Sequence, residues 1–152
     1  MDLTIVMTYF NRKEQILRTL ASINYLDGIR VIIVDDGSDE SIERLVDHHT
    51  DVVTLKNKTW INPCIAFNTG FALVRTEAVI IQNAECMHMG NVVGHAIANL
   101  KKNTYLNYAC YSLSESRTRR LSEGSHIIRP LLDRAPTKWG ETGWYNHPIY
   151  ND

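Results

Sequence analysis

The 152-residue chain is short of several things, and each shortage closes off a class of protein. Its three cysteines, Cys64, Cys86 and Cys110, are too few and too far apart for a zinc ribbon, a CxxC pair or a disulfide framework. Free thiols suit a reducing compartment, so the expected location is the cytoplasm. No apolar run approaches the ~20 residues of a membrane helix. The opening Met1-Asp2-Leu3-Thr4-Ile5-Val6 lacks the basic start of a secretory signal. Charge of either sign is not in excess: 16 Lys and Arg against 17 Asp and Glu leave -1, so no global field recruits nucleic acid or an anionic membrane. The glycines never form G-x-G-x-x-G after the first apolar run. That turn reads Thr8-Tyr9-Phe10-Asn11, which argues against a dinucleotide-binding Rossmann site.

What is present is a chain of one-domain length, 44% hydrophobic, enough for a sizeable core. Short apolar runs alternate with helical patterns over the first two thirds, the rhythm of βαβ units and a mainly parallel sheet. Expected strands are Leu3 to Thr8, Val31 to Val34, Val52 to Leu55, Ala78 to Ile81 and Tyr105 to Tyr111. Between the first two, Ile16, Leu17, Leu20 and Ile23 recur with helical period. Asn11 is the expected cap of that helix, with Glu14 three residues on in a capping box. Further helices are expected from Ser41 to Asp47, from Asn62-Pro63 with Ala66, Gly70 and Val74 on one face, and around Val92 to Leu100. The whole chain, 1–152, reads as a single domain in which 114–138, rich in Ser, Arg and Pro, is a mobile loop.

Ligands of parallel α/β sheets bind beyond the carboxyl ends of the strands, and three polar clusters fall there. Thr8-Tyr9-Phe10-Asn11 offers backbone groups and a hydroxyl suited to the edge of a planar base. In Asp35-Asp36-Gly37-Ser38 the glycine permits a tight turn, and a carboxylate can accept from a base N–H or a ribose hydroxyl. The same string also makes an ordinary turn and helix cap. In Asn83-Ala84-Glu85-Cys86-Met87-His88, Glu85 is the candidate ligand for Mg²⁺ or Mn²⁺, with His88 a weaker one. Trp139, Trp144 and Tyr145 are candidates for an acceptor wall, though aromatics also simply pack. Arg117, Arg119 and Arg120 are candidate phosphate contacts or plain solvated charges.

Three blocks carry a resemblance to a family. Thr4-Ile5-Val6-Met7-Thr8-Tyr9-Phe10-Asn11-Arg12 resembles the opening strand and turn of family 2 glycosyltransferases of the GT-A fold. Val31-Ile32-Ile33-Val34-Asp35-Asp36-Gly37-Ser38 is similar to their second strand and acidic turn. Asn62-Pro63-Cys64-Ile65-Ala66-Phe67-Asn68-Thr69-Gly70 is similar to the start of a helix in which Asn-Pro, Ala, Asn and Gly recur at this spacing. The resemblance implies a GT-A, Rossmann-like sheet flanked by helices. It implies transfer of a sugar from a nucleoside-diphosphate sugar, UDP-sugar favoured, to a glycan or other hydroxyl acceptor, with inversion and metal assistance. Thr8, Tyr9, Asn11, Asp35, Asp36, Asn68 and Asn83 would then bind the nucleotide. Asn83-Ala84-Glu85 stands where the family carries DxD, so Glu85 replaces the main metal ligand and Asn83 supplies no charge. The family's general base lies in its later part, and Glu141 is the candidate here. The alternative is a non-catalytic nucleotide-sugar-binding module or C-terminally truncated piece without that base. Self-association is left open.

Overall fold

A computed structural model describes residues 1–108 and 110. Met1–Tyr105 form one compact unit; the described residues after it lie in no helix or strand. The order is β1 (Leu3–Tyr9), α1 (Lys13–Ser22), β2 (Ile29–Asp35), a 3₁₀ turn (Glu43–Leu45), β3 (Thr50–Thr54), α2 (Cys64–Leu73), β4 (Ala78–Asn83) and α3 (Val92–Asn99). The strands form an all-parallel sheet in the order β3-β2-β1-β4.

β1 and β2 hold the centre because both can be buried on both faces. Ile5, Val6, Met7, Val31, Ile33 and Val34 are fully enclosed. Each such side chain contributes about 1.5–3 kcal/mol of transfer free energy, and the unbroken apolar runs reflect that two-sided burial. Right-handed crossovers then decide where the helices go. The chain moves one way from β1 to β2 and the other way from β3 to β4, so α1 and α2 cover opposite faces. α2 lies over β1 and β2, where Ala66 packs with Ile32 and Val34. Gly70 allows that approach: a Cβ there would stand 2.6 Å from Val6 Cγ1 and 3.2 Å from Val34 Cγ2. None of the helices described is long and apolar enough to cross a membrane.

Three expectations are corrected. Asn11 does not cap α1. It has φ 50, and the helix begins after Arg12, which makes no side-chain cap bond. The capping box loses because the Asn11 amide is committed to Asp39 in another loop. The helix expected from Ser41 to Asp47 is one 3₁₀ turn, with Ile42 buried and Leu45 exposed. A segment that short cannot offset helix nucleation without a packed stripe. The described part of the expected fifth strand, Tyr105 to Tyr108 with Cys110, is not in a strand.

Candidate functional site

Three loops meet at the carboxyl edge of the sheet because three strands end level. Tyr9 pairs with Asp35 on one side of β1, and Thr8 with Asn83 on the other. At a strand spacing of about 4.8 Å, the loops after β2 and β4 lie roughly 10 Å apart laterally. This carboxyl edge is where sheets of this kind bind ligands.

The middle loop is tied to both neighbours. Asn11 Nδ2 donates to Asp39 Oδ2 at 2.9 Å, Asn11 Oδ1 accepts from the Asp39 N–H at 2.9 Å, and the Asn11 N–H reaches Ser38 Oγ at 3.0 Å. Lys13 pairs with Glu40 at 3.0 Å on that same side. On the other side Arg12 pairs with Glu85 at 3.3 Å, linking the loops after β1 and β4. Asn11 is therefore a staple between the loops after β1 and β2.

The two aspartates after β2 do different work. Asp35 is 1% exposed, and its Oδ1 accepts from the Ser38 N–H at 2.8 Å, closing the turn that Gly37 enters with φ 84. Its Oδ2 is buried with no hydrogen-bond partner, while its Oδ1 supports the turn. Asp36 is held from behind by its own N–H, which donates to the Tyr9 carbonyl at 2.8 Å. Its carboxylate turns toward the segment after β3. Lys58 Nζ donates to Oδ2 at 2.7 Å and Trp60 Nε1 to Oδ1 at 2.8 Å. The Lys58 ammonium also sits 4.1 Å above the Phe10 ring.

The Tyr9 side chain lies inside the fold. Alternation along β1 sends its ring to the face away from α2, where it is buried and bonds Ser38. Burial pushes its phenol pKa up, with the Ser38 bond opposing. Thr8, one residue earlier, lies half-buried on the α2 face. Asn68 is exposed on α2.

The loop after β4 is anchored to α1. Thr19 Oγ1 donates to the Ala84 carbonyl at 2.7 Å in a buried position, and the His88 N–H donates to Ser22 Oγ at 2.8 Å. His88 is turned inward: Nε2 meets Gln82 Oε1 at 2.7 Å, and Nδ1 is buried without a partner. Burial lowers its pKa below the usual imidazole value. His88, the weaker metal candidate, therefore has Nε2 engaged by Gln82 and Nδ1 enclosed. Glu85 and Asn83 are the exposed groups of this loop.

Comparison with known sequences agrees with this geometry: glycosyl transferase family 2 matches residues 4–147. The chain belongs to glycosyl transferase family 2. Curated relatives include the pre-mycofactocin glycosyltransferases of Mycobacterium tuberculosis strains CDC 1551 / Oshkosh and ATCC 25618 / H37Rv. Each is 34% identical over 86 residues, covering 55% of this chain. The match spans only 18% of the relatives' own length. Two crystal structures of S. aureus TarS share the fold. For TarS 1-349 the TM-score is 0.56 at 18% identity over 64% of this chain and 32% of that one. For the other the TM-score is 0.57 at 18% identity over 64% and 19%. The fold is accordingly the α/β, GT-A type expected from the opening blocks.

For a family 2 chain the fit of a divalent ion is a question about donors. Among the described residues no three His, Cys, Asp or Glu side chains gather as a metal cluster. The end of β4 and the loop after it offer one exposed carboxylate, Glu85, and one neutral amide, Asn83. That set fits Mg²⁺ or Mn²⁺ bound as these ions bind nucleotides, with phosphate and water filling the other positions. Arg12 is no obstacle, because its pair with Glu85 is exposed at both ends and worth at most about 1 kcal/mol. The sequence reading missed Arg12, Lys58 and Trp60. Arg12 follows the first strand directly, and Lys58 and Trp60 follow β3, which pairs with β2. Only the strand order reveals that these positions share an edge. Trp139, Glu141, Trp144, Tyr145 and Arg117, Arg119 and Arg120 lie outside the described residues, as does the 114–138 loop.

Proposed function

We propose that this chain is the donor-binding part of a glycosyltransferase that moves a sugar from a nucleoside-diphosphate sugar, UDP-sugar favoured, to a hydroxyl acceptor. The observation that carries the reading is that Asp36 and Glu85 lie in the loops after β2 and β4, at one rim of the sheet on either side of β1. Their lateral separation, about 10 Å, suits a ligand with a base at one end and a diphosphate toward the other. The names of the curated relatives support glycosyl transfer as the chemistry.

In this reading Thr8 and Asp36 receive the base, and Asn68 and Asn83 are the remaining nucleotide contacts. Glu85, with Asn83, would hold Mg²⁺ or Mn²⁺, which would supply Lewis-acid stabilisation of the leaving diphosphate. Arg12 swings from Glu85 toward phosphate as the site fills, adding a second positive charge. A carboxylate, for which Glu141 is the candidate, takes the proton of the acceptor hydroxyl. The oxygen attacks the anomeric carbon, the bond to diphosphate breaks, and the single displacement inverts the configuration. Trp139, Trp144 and Tyr145 present ring faces to the acceptor. The three free thiols support a reducing, cytoplasmic setting.

The test is a thermal-shift and turnover screen of UDP-, GDP-, CDP- and TDP-sugars with and without Mn²⁺. Asp36→Ala should abolish the shift, and Glu85→Ala should remove only its metal-dependent part. Binding with no sugar transferred to any acceptor would favour the non-catalytic module. A shift that survives both substitutions would place the site elsewhere.

A further inference from the structure

Asp36 is already occupied by the protein itself. It is 5% exposed, and both carboxylate oxygens are engaged, Oδ2 by Lys58 Nζ at 2.7 Å and Oδ1 by the Trp60 indole N–H at 2.8 Å. The same ammonium lies 4.1 Å over the ring of Phe10, on the loop after β1. Both covering side chains come from the segment that joins β3 to α2. That segment is rooted at each end. The Leu55 N–H donates to the Asp35 carbonyl at 2.8 Å, and Asn62 Oδ1 accepts from the Cys64 N–H at 2.9 Å. Between the roots no side chain is driven deep into the core: Ile61 is 97% exposed, and Lys58 and Trp60 are half-buried. Polar contact with Asp36 and the Phe10 face is what holds the middle down. Such contacts open at modest cost, because water replaces each donor that leaves.

We propose that segment 56–61 is an autoinhibitory strap: in the ligand-free protein Lys58 and Trp60 fill Asp36 with the donors a ligand would bring, and a nucleotide binds only as they let go. This rests on the donor-site reading above, in which the ligand uses Asp36. A closed strap weakens binding, since the apparent Kd is the intrinsic one divided by the open fraction. It also gives binding an unusual sign. A ligand that packs against a loop protects it, whereas one that takes Asp36 releases 56–61 to solvent. The ligand favours the open state by as much as its affinity for the two states differs.

Trypsin reads the strap directly. The Lys58 side chain it must engage is the one bound to Asp36, and cleavage tracks the open population. The full chain is digested briefly, and the cut after Lys58 is followed by mass spectrometry with and without saturating UDP and Mn²⁺. UDP should speed that cut by about tenfold or more, the weight of one charge-assisted hydrogen bond. Global unfolding cannot give that result, because a bound ligand suppresses it. Without ligand, Trp60→Phe keeps a ring, deletes the indole donor and should speed the same cut by about tenfold. In titration calorimetry Trp60→Phe should bind UDP more tightly than wild type, by up to about tenfold. Lys58→Met should also bind UDP more tightly, and serves should the phenylalanine variant not fold. In a protein that binds UDP, a cut that UDP slows or leaves unchanged overturns the strap and leaves the donor-site reading standing. Weaker UDP binding by both variants does the same. If neither wild type nor variants bind UDP, the donor-site reading falls and the strap's role in binding falls with it.

Discussion

Asp36 is a residue whose surroundings cost stability if they are disturbed singly. Asp36→Asn leaves the Lys58 ammonium, three-quarters buried, without its counter-charge. The expected loss is about 1–3 kcal/mol, read as a lower urea midpoint. Lys58→Met in the same chain should restore part of it, because the double variant no longer buries an unpaired charge. A coupling energy of about 1 kcal/mol in that cycle would show the pair acting as a unit; strict additivity would sink the idea. His88 gives a pH prediction with a fixed sign. Its folded pKa is depressed by burial, so the folded protein holds it neutral where the unfolded chain takes up a proton. Its contribution is fully present above about pH 6.5, the unfolded value, and is lost as pH falls from there through the folded pKa. Thermal midpoints measured downward from pH 7 should decline, and His88→Asn should flatten the part that begins just below about pH 6.5.

At the scale of elements, the loop after β4 owes its position to α1 more than to its own sequence. The Thr19 hydroxyl reaches the Ala84 carbonyl at 2.7 Å in the interior, one residue before Glu85. Thr19→Val keeps the side chain's shape and deletes the donor, leaving a buried carbonyl unpaired at about 1–3 kcal/mol. Because that carbonyl fixes the base of the Glu85 turn, the same variant should raise the Mn²⁺ concentration needed for the metal-dependent thermal shift. A destabilised protein with an unaltered Mn²⁺ response would show that the anchor holds the fold only. The strands were legible from apolar runs because β1 and β2 are enclosed on both faces over most of their length. The segment 41–47 was not legible, because its apolar residues mimic a helical stripe while only Ile42 finds a core to enter.

For the whole molecule, folding and binding are linked. A ligand at 100 times its Kd adds about 2.7 kcal/mol to the stability of the folded state. In a chain of this size each kcal/mol moves the midpoint by about 2–4 °C. Saturating UDP with Mn²⁺ should therefore raise the melting temperature by about 5–10 °C. EDTA should withdraw the part that depends on Glu85. The four-stranded order with its reversal at β1 makes one rim of loops that are far apart in sequence. Lys13–Glu40 and Arg12–Glu85 close that rim on either side of the middle loop.

The sequence by itself determined the parallel strands, the acidic turn after the second of them and the family. Each is written locally, in apolar runs and in short strings such as Asp35-Asp36-Gly37-Ser38. Which of those two aspartates closes the turn and which reaches the segment after β3, that Tyr9 and His88 turn inward, and that Lys58 and Trp60 close on Asp36 were decided by tertiary structure alone. The physical reason is that side-chain direction and hydrogen-bond partnership depend on which strand lies alongside. The β3-β2-β1-β4 order brings together residues that no local pattern connects.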